Sequence, residues 1–361
     1  MNRSAGPYYV NATLNDVAAR CGVSYQTVSR VVNNSPLVTE KTRAMVLKAI
    51  AELDYRPNLA ARRLATRHSS VIGMVGTKMT YYGPMQVMVS VEETARRKGY
   101  NLMFVGVERP NKAQLSTAIN DLCEHQVDGF VFGVRLGRSV DSVRKLCRGA
   151  PFVTLDAGPA DGLPTVVVDQ QYGVQLATRH LLDLGHRQIA HIAGPPGWSA
   201  SKERRKGWAQ TLMEADLEPG LCVDGDWSPE SGYAAVTQLL DFGVRRFTAI
   251  VAANDHMALG AIRALHTKGI RVPEDISVAG YDDLPESGFF EPPLTTVHHD
   301  FARQGEQSVE VLLHMINREP AEPLLQLLRP ELVVRESTTR PTRRDEVLAL
   351  GASRRQGERG E

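Results

Sequence analysis

The feature that most constrains this chain is an alternation, in two blocks, of short apolar runs with helical stretches. From Ser70 onward, Val71-Ile72-Gly73-Met74-Val75, Asn101-Leu102-Met103-Phe104-Val105, Gly129-Phe130-Val131-Phe132 and Phe152-Val153-Thr154-Leu155 read as buried strands, with helical stretches such as Val87 to Lys98 between them. Strands alternating with helices imply a parallel sheet covered on both faces. After Thr165 the alternation begins again, with Ile189 to Ala193, Ala249 to Ala252 and Ile276 to Tyr281 as the next strands. The expected class is α/β, with two doubly wound parallel lobes.

The chain ahead of Ser70 has a different pattern. Thr13, followed three residues later by Asp16, has the form of a capping box, and Leu14, Val17 and Ala18 fall on one helical face. Gly22 permits a tight turn, Ser24 can cap a second helix, and Val28, Val31 and Val32 give that helix a buried side. Its other side carries Tyr25, Gln26, Ser29 and Arg30, side chains that hydrogen-bond to base edges and phosphates in a major groove. Thr39 can cap a third helix with Val46, Leu47, Ile50 and Leu53 on one face. These three helices form a helix-turn-helix headpiece over residues 12–57. Beyond the break at Arg56-Pro57, Asn58 can cap a short helix, the hinge of residues 58–67. About two turns of helix are unstable alone, so this segment needs a partner to hold it. Leu64 is suited to wedge into a minor-groove base step, with Arg62 and Arg63 near phosphates.

Charge agrees with that division. Residues 1–67 hold ten Lys or Arg against four Asp or Glu, while the remainder is net acidic, which suits nucleic-acid contact at one end only. The four cysteines, Cys21, Cys123, Cys147 and Cys222, have no metal-ligand spacing and read as reduced thiols of a cytoplasmic protein. No apolar run is long enough to span a membrane, and the first residues lack a secretory core. His298-His299-Asp300 is a weak metal candidate, because neighbouring strand residues point to opposite faces. Gly194-Pro195-Pro196-Gly197 is a poor phosphate cradle, because its prolines lack N–H donors. No cofactor is expected, nor an enzyme, since no nucleophile, metal cluster or phosphate loop is positioned.

Several motifs together resemble the lactose/galactose repressor (LacI/GalR) family. They are Asp-Val-Ala at 16–18 with Gly-Val-Ser-Tyr-Gln-Thr-Val-Ser-Arg-Val-Val-Asn at 22–33, Leu-Gly-His-Arg-Gln-Ile-Ala at 184–190, and Ala-Asn-Asp-His-Met-Ala-Leu-Gly at 253–260. Pro-Glu-Asp-Ile-Ser-Val-Ala-Gly-Tyr-Asp-Asp at 273–283 and Pro-Pro-Leu-Thr-Thr-Val at 292–297 complete the set. The resemblance spans about residues 12–340. It implies lobes of the periplasmic-binding-protein type, the first at about 68–167 and 298–328 and the second at about 168–297 and 329–340, within an effector-binding and dimerisation domain of residues 68–340. Residues 341–361, rich in Arg, Gly and Glu, read as a disordered tail without a leucine heptad. The implied protein is a homodimeric transcriptional repressor on pseudo-palindromic operator DNA. Its DNA contacts would come from Thr13, Leu14, Ser24, Tyr25, Gln26, Thr27, Ser29, Arg30, Asn33, Thr39 and Thr42 in the headpiece, and from Asn58, Ala61, Leu64 and Ala65 in the hinge.

A two-lobed parallel α/β protein binds small molecules where the carboxyl ends of its strands face each other. Asp156, Asn254 and Asp282 fall just past expected strands, Arg204 offers a planar fork for paired hydroxyls, and Trp227 offers a flat face for a sugar ring. Each carboxylate or amide alone is as readily a helix cap. By resemblance the effector set is Arg204, Trp227, Asn254, Asp282 and Asp156, with Thr77, Tyr81, Arg109 and His299 as further contacts. The Arg, Trp, Asn and Asp combination is similar to that of lactose-responsive members, which implies a galactoside-like inducer. Tyr81, Val168 and His299 depart from that pattern in size and hydrogen bonding. A purine or other non-sugar co-repressor is the alternative. Replacing Gln26 or Arg30 with Ala is expected to cost about 1–3 kcal/mol of operator binding and relax sequence preference, whereas Arg62→Ala weakens all DNA alike. Fluorescence anisotropy on operator and random duplexes checks this, and equal losses on both for Arg30→Ala would contradict the base-reading role.

Overall fold

The structure, a computed structural model, describes residues 12–32, 35–55, 68–77, 80–108, 111–137, 140–156, 162–242, 247–319 and 325–341. The chain divides into two units, Met1–Ser69 and Ser70–Glu361.

The first unit holds α1 (Leu14–Cys21), α2 (Tyr25–Val32) and α3 (Glu40–Glu52). The capping box forms: Thr13 Oγ1 accepts from Asp16 N–H at 3.3 Å, and Asp16 Oδ2 accepts from Thr13 N–H at 2.7 Å. Gly22, at φ 66°, supplies the left-handed residue that ends α1. Val17, Val28 and Val46 are fully buried and form a core with Ala18, Val31, Ala49 and Tyr55. Leu47, expected on the buried face of α3, is instead 52% exposed. At 100° per residue the face containing Val46 continues through Ala49, Ile50 and Leu53, and Leu47 lies a quarter turn away.

The second unit contains two six-stranded sheets. The first has β1 (Val71–Thr77), β2 (Asn101–Val107), β3 (Gly129–Gly133), β4 (Phe152–Thr154), β5 (Thr165–Val168) and β11 (Leu325–Leu328), in the order β11-β5-β4-β3-β1-β2. The second has β6 (Ile189–Ala193), β7 (Cys222–Asp224), β8 (Ala249–Ala252), β9 (Ser277–Asp282), β10 (Thr295–His298) and β12 (Glu331–Val333), in the order β12-β10-β9-β8-β6-β7. The registered pairs run parallel except β10 with β12, where the returning strand lies antiparallel, Val297 opposite Leu332. Each sheet has an apolar cluster on either face, one pair built on Phe130 and Val131 and the other on Ile250 and Val251. That is the doubly wound arrangement.

The chain passes between the sheets at three points: after β5 into α7 (Gln170–Asp183), after β10 into α11 (Phe301–Ile316), and from β11 to β12. Two helices of the second lobe approach unusually closely. A Cβ on Gly232 of α9 (Pro229–Asp241) would meet the Met257 carbonyl at 2.1 Å, and one on Gly260 of α10 (Asp255–Thr267) would meet the Pro229 carbonyl at 1.8 Å. Only glycine allows this contact, which brings the starts of both helices side by side. Gly260→Ala is therefore expected to destabilise the protein by about 1–3 kcal/mol, because backbone atoms cannot yield to a methyl group. Urea denaturation measures it, and an unchanged midpoint would show that the helices can part freely.

Candidate functional site

In the first unit, Ser24 Oγ accepts from Thr27 N–H at 3.1 Å and Thr39 Oγ1 from Thr42 N–H at 3.4 Å, so both side chains serve their own helix starts. On α2, Tyr25 is 54% exposed, Gln26 and Arg30 are exposed, and Ser29 is partly so, opposite the buried Val28 and Val31. Thr13 is exposed and Leu14 half-buried against the three-helix core. One polar helical face thus stands clear of that core, the form in which a recognition helix enters a major groove. Asn33, Asn58, Ala61, Leu64 and Ala65, together with Arg62 and Arg63, lie outside the described residues.

In the second unit, a cavity of about 960 Å³ opens at the carboxyl ends of both sheets. Thr77, Tyr81, Asp156, Arg204, Trp227, Asn254, Asp282 and His299 all line it, as does Val168. Arg109 lies outside the described residues. The strands explain the convergence. Thr77 ends β1, Asp156 follows β4, Asn254 follows β8, Asp282 ends β9 and His299 follows β10.

Arg204, on α8 (Ser199–Glu214), is the cavity's buried cation. Its Nε donates to Gln170 Oε1 at 2.8 Å, Nη1 to the Ala253 carbonyl, and Nη2 to Asp282 Oδ1 at 3.3 Å. The guanidinium carbon lies 3.5 Å from the Tyr281 ring centroid and 5.6 Å from that of Trp227. Asn254 caps α10, its Oδ1 accepting from Met257 N–H at 2.9 Å, while its Nδ2 donates to the Trp227 carbonyl at 3.0 Å. The close pairing of α9 and α10 therefore sets Trp227 and Asn254 together. Asp156 accepts a hydrogen bond from Ser199 Oγ across the cleft.

Sequence reasoning missed a second aromatic wall. Trp198 stands edge-on to Tyr81 at 5.1 Å and to Trp227 at 5.9 Å, so side chains of both lobes meet around it. It follows β6 as Asn254 follows β8, and the same strand-end rule would have found it. Gln170 and Gln304 also line the cavity, but they sit on helices, where nothing in the sequence marks them. His298 and His299 part as expected: His298 Nδ1 pairs with Asp283 Oδ2 at 3.0 Å, whereas His299 is buried at the cavity.

Burial sets the electrostatics. Desolvation pushes the Asp282 carboxyl up to about 6 against the opposing pull of Arg204. Behind it, desolvation pushes Asp255 up to about 7, opposed by hydrogen bonds from Ser287 Oγ at 2.6 Å, Thr296 Oγ1 at 2.5 Å and Leu284 N–H at 2.9 Å. Asp255 thereby ties the Leu284 backbone and the Ser287 and Thr296 side chains, all past Asp282 in the chain, to the first turn of α10.

A helix-turn-helix unit joined to a two-lobed domain with a polar, aromatic cleft defines a class of ligand-binding transcriptional regulator. Residues 13–58 match the family described as bacterial regulatory proteins, lacI family, and residues 178–338 match a periplasmic binding protein-like domain. The lactose operon repressor of Escherichia coli (strain K12) is 37% identical over 330 residues, 91% of each chain. The HTH-type transcriptional repressor PurR of Pasteurella multocida (strain Pm70) is 36% identical over 331 residues, 90% of this chain and 98% of that one. Among solved structures, the lac repressor dimer bound to operator and the anti-inducer ONPF superposes with a TM-score of 0.83 at 37% identity, covering 91% of this chain and 99% of that one. The transcriptional regulator CelR–cellobiose complex superposes with a TM-score of 0.66 at 32% identity, covering 91% of this chain and all of that one. This chain belongs to the LacI family and is a DNA-binding transcriptional repressor.

The raised Asp255 carboxyl makes stability depend on pH. With its folded value above the unfolded one, its contribution is fully present below about pH 4 and is lost as pH rises through about 7. Asp255→Asn removes that dependence, so the variant should gain stability relative to the wild type between about pH 5 and about pH 7.5. Urea unfolding of both proteins at the two pH values tests this, and a constant difference would contradict it.

Proposed function

We propose that this repressor is released from its operator by a small carbohydrate, galactoside-like in its hydroxyl pattern, bound in the cavity between the lobes. The observation that carries the reading is the Arg204, Asp282 and Asn254 group set beside the Trp227 ring. Hydroxyls both donate and accept, so a sugar can use a fixed cation and a fixed carboxylate at once, while its C–H face rests on an aromatic ring. The lactose operon repressor among the relatives and the CelR–cellobiose complex among the structures support a sugar. The PurR relatives favour the second reading, a purine that tightens DNA binding.

The mechanism we infer is a population shift. Gln170 and His299 lie on two of the crossings between lobes, so a ligand touching them biases how the lobes sit. In a homodimer, that shift separates the segments at 58–67, with Asn58, Ala61, Leu64 and Ala65, and each is too short to stay helical alone. A ligand achieves this only by binding the low-affinity arrangement better, with a coupling of about 1–3 kcal/mol. Tyr233, Leu259 and Phe289 expose apolar surface on the second lobe and suit it to a second copy; Phe289 is 90% exposed. With a duplex selected from a random pool, methyl β-D-galactoside is expected to weaken binding about fivefold or more, and guanine to have no effect. Tighter binding with guanine and no response to sugars would establish the purine reading instead.

A further inference from the structure

We propose that Arg335, acting through Asp283, is a positioning residue of the effector cleft: it anchors a strained turn that keeps the Asp282 carboxylate on Arg204. The proposal deepens the reading of the cleft as the effector site and rests on it.

Two consecutive residues at the end of β9 have backbone that glycine would favour. Asp282 has φ 107° and Asp283 has φ 54°. Aspartate tolerates the second value, which lies in the left-handed helical well, but the first falls outside it, so the strain sits on Asp282. Strain of this kind persists only where the surroundings hold it, and it gathers where a side chain must be aimed. The far end of the turn is held by Leu284, whose N–H donates to Asp255 Oδ2 at 2.9 Å. Its middle is held by Asp283.

Asp283 Oδ1 accepts from Arg335 Nη2 at 2.7 Å, and Oδ2 lies 3.0 Å from His298 Nδ1. Arg335 is fixed in turn at the start of β10, where its Nη1 donates to the Leu294 carbonyl at 2.8 Å and its backbone N–H to Thr295 Oγ1 at 2.9 Å. One planar fork thus grips a carbonyl and a carboxylate together. The Arg335 and Asp283 side chains are 23% and 16% exposed, against 46% for His298, so Arg335 is the tether better shielded from water. Asp283, His298 and Arg335 do not line the cavity, whereas Asp282 does. Asp282 Oδ1 accepts from Arg204 Nη2 at 3.3 Å. If the turn were released, rotation of Asp282 toward the ordinary negative φ would carry its Cβ, and the carboxylate with it, off the guanidinium. Of the two successive aspartates, the first faces the cleft and the second anchors the first.

The first test needs no ligand. In the full-length protein with ¹³C-labelled aspartate, the Asp282 carboxyl signal is the one missing from Asp282→Asn, and burial pushes its titration midpoint up to about 6. Arg335→Gln and Asp283→Gly should each lower that midpoint by about one unit or more, as the freed carboxyl reaches water. The two substitutions change the local charge in opposite senses, so a fall in both reports movement. A midpoint that stays or rises in Arg335→Gln would overturn the proposal. The second test titrates methyl β-D-galactoside, hypoxanthine and a selected operator duplex. Glycine takes φ 54° without strain, so Asp283→Gly keeps the turn accessible while removing its anchor, and it serves where Arg335→Gln does not fold. Both variants should bind the small molecule that the wild type binds about tenfold more weakly, with operator affinity unchanged. Undiminished small-molecule binding, or an equal loss on the operator, would overturn the positioning role. If only hypoxanthine binds and is weakened, the positioning role holds and the carbohydrate reading fails; if neither binds the wild type, the midpoint alone decides.

Discussion

A cation taken out of water must be matched on every side, and the cleft is arranged around that demand. Arg204 is 5% exposed and donates to Gln170, Ala253 and Asp282 while its flat face lies on Tyr281. Burying a charge costs several kcal/mol unless hydrogen bonds and an opposite charge replace the lost water. Those partners come from a crossing between lobes, the end of β8 and the end of β9. One guanidinium therefore ties together the places from which a ligand would be read. The same burial raises Asp282 and Asp255, whose loss of water outweighs the attraction of their partners.

Backbone packing holds the polar groups in register. The contact at Gly232 and Gly260 draws α9 and α10 together, and the starts of those helices carry Trp227 and Asn254. The lack of a side chain at these two positions thus fixes the geometry of two large ones. In the first unit the logic is simpler: fully buried valines at 17, 28 and 46 turn the polar side of α2 outward.

Central strands were legible because runs such as Ala249 to Ala252 are buried along their whole length and leave no polar position to confuse the period. Short or edge strands were harder. Cys222–Asp224 is three residues long and carries an exposed Asp, and Leu327 on β11 is 47% exposed. Strand-end residues were legible because a parallel sheet has only one end at which to place a site, and eight of the nine expected cleft residues line the cavity, Arg109 lying outside the described residues. Gln304 was not legible. It occupies the buried face of α11 together with Gly305 and Ser308, so its polarity reads as solvent-facing until the helix is docked.

The central claim is that the cleft senses a small molecule and the first unit reads DNA, with Arg204 belonging to the sensing and not to the reading. Arg204→Lys keeps a cation beside Asp282 but removes the planar fork. Titrating a selected operator duplex with this variant, with and without methyl β-D-galactoside, separates the two roles. The account predicts wild-type operator affinity and no response to the sugar. An undiminished response would remove Arg204 from the ligand site and contradict the account.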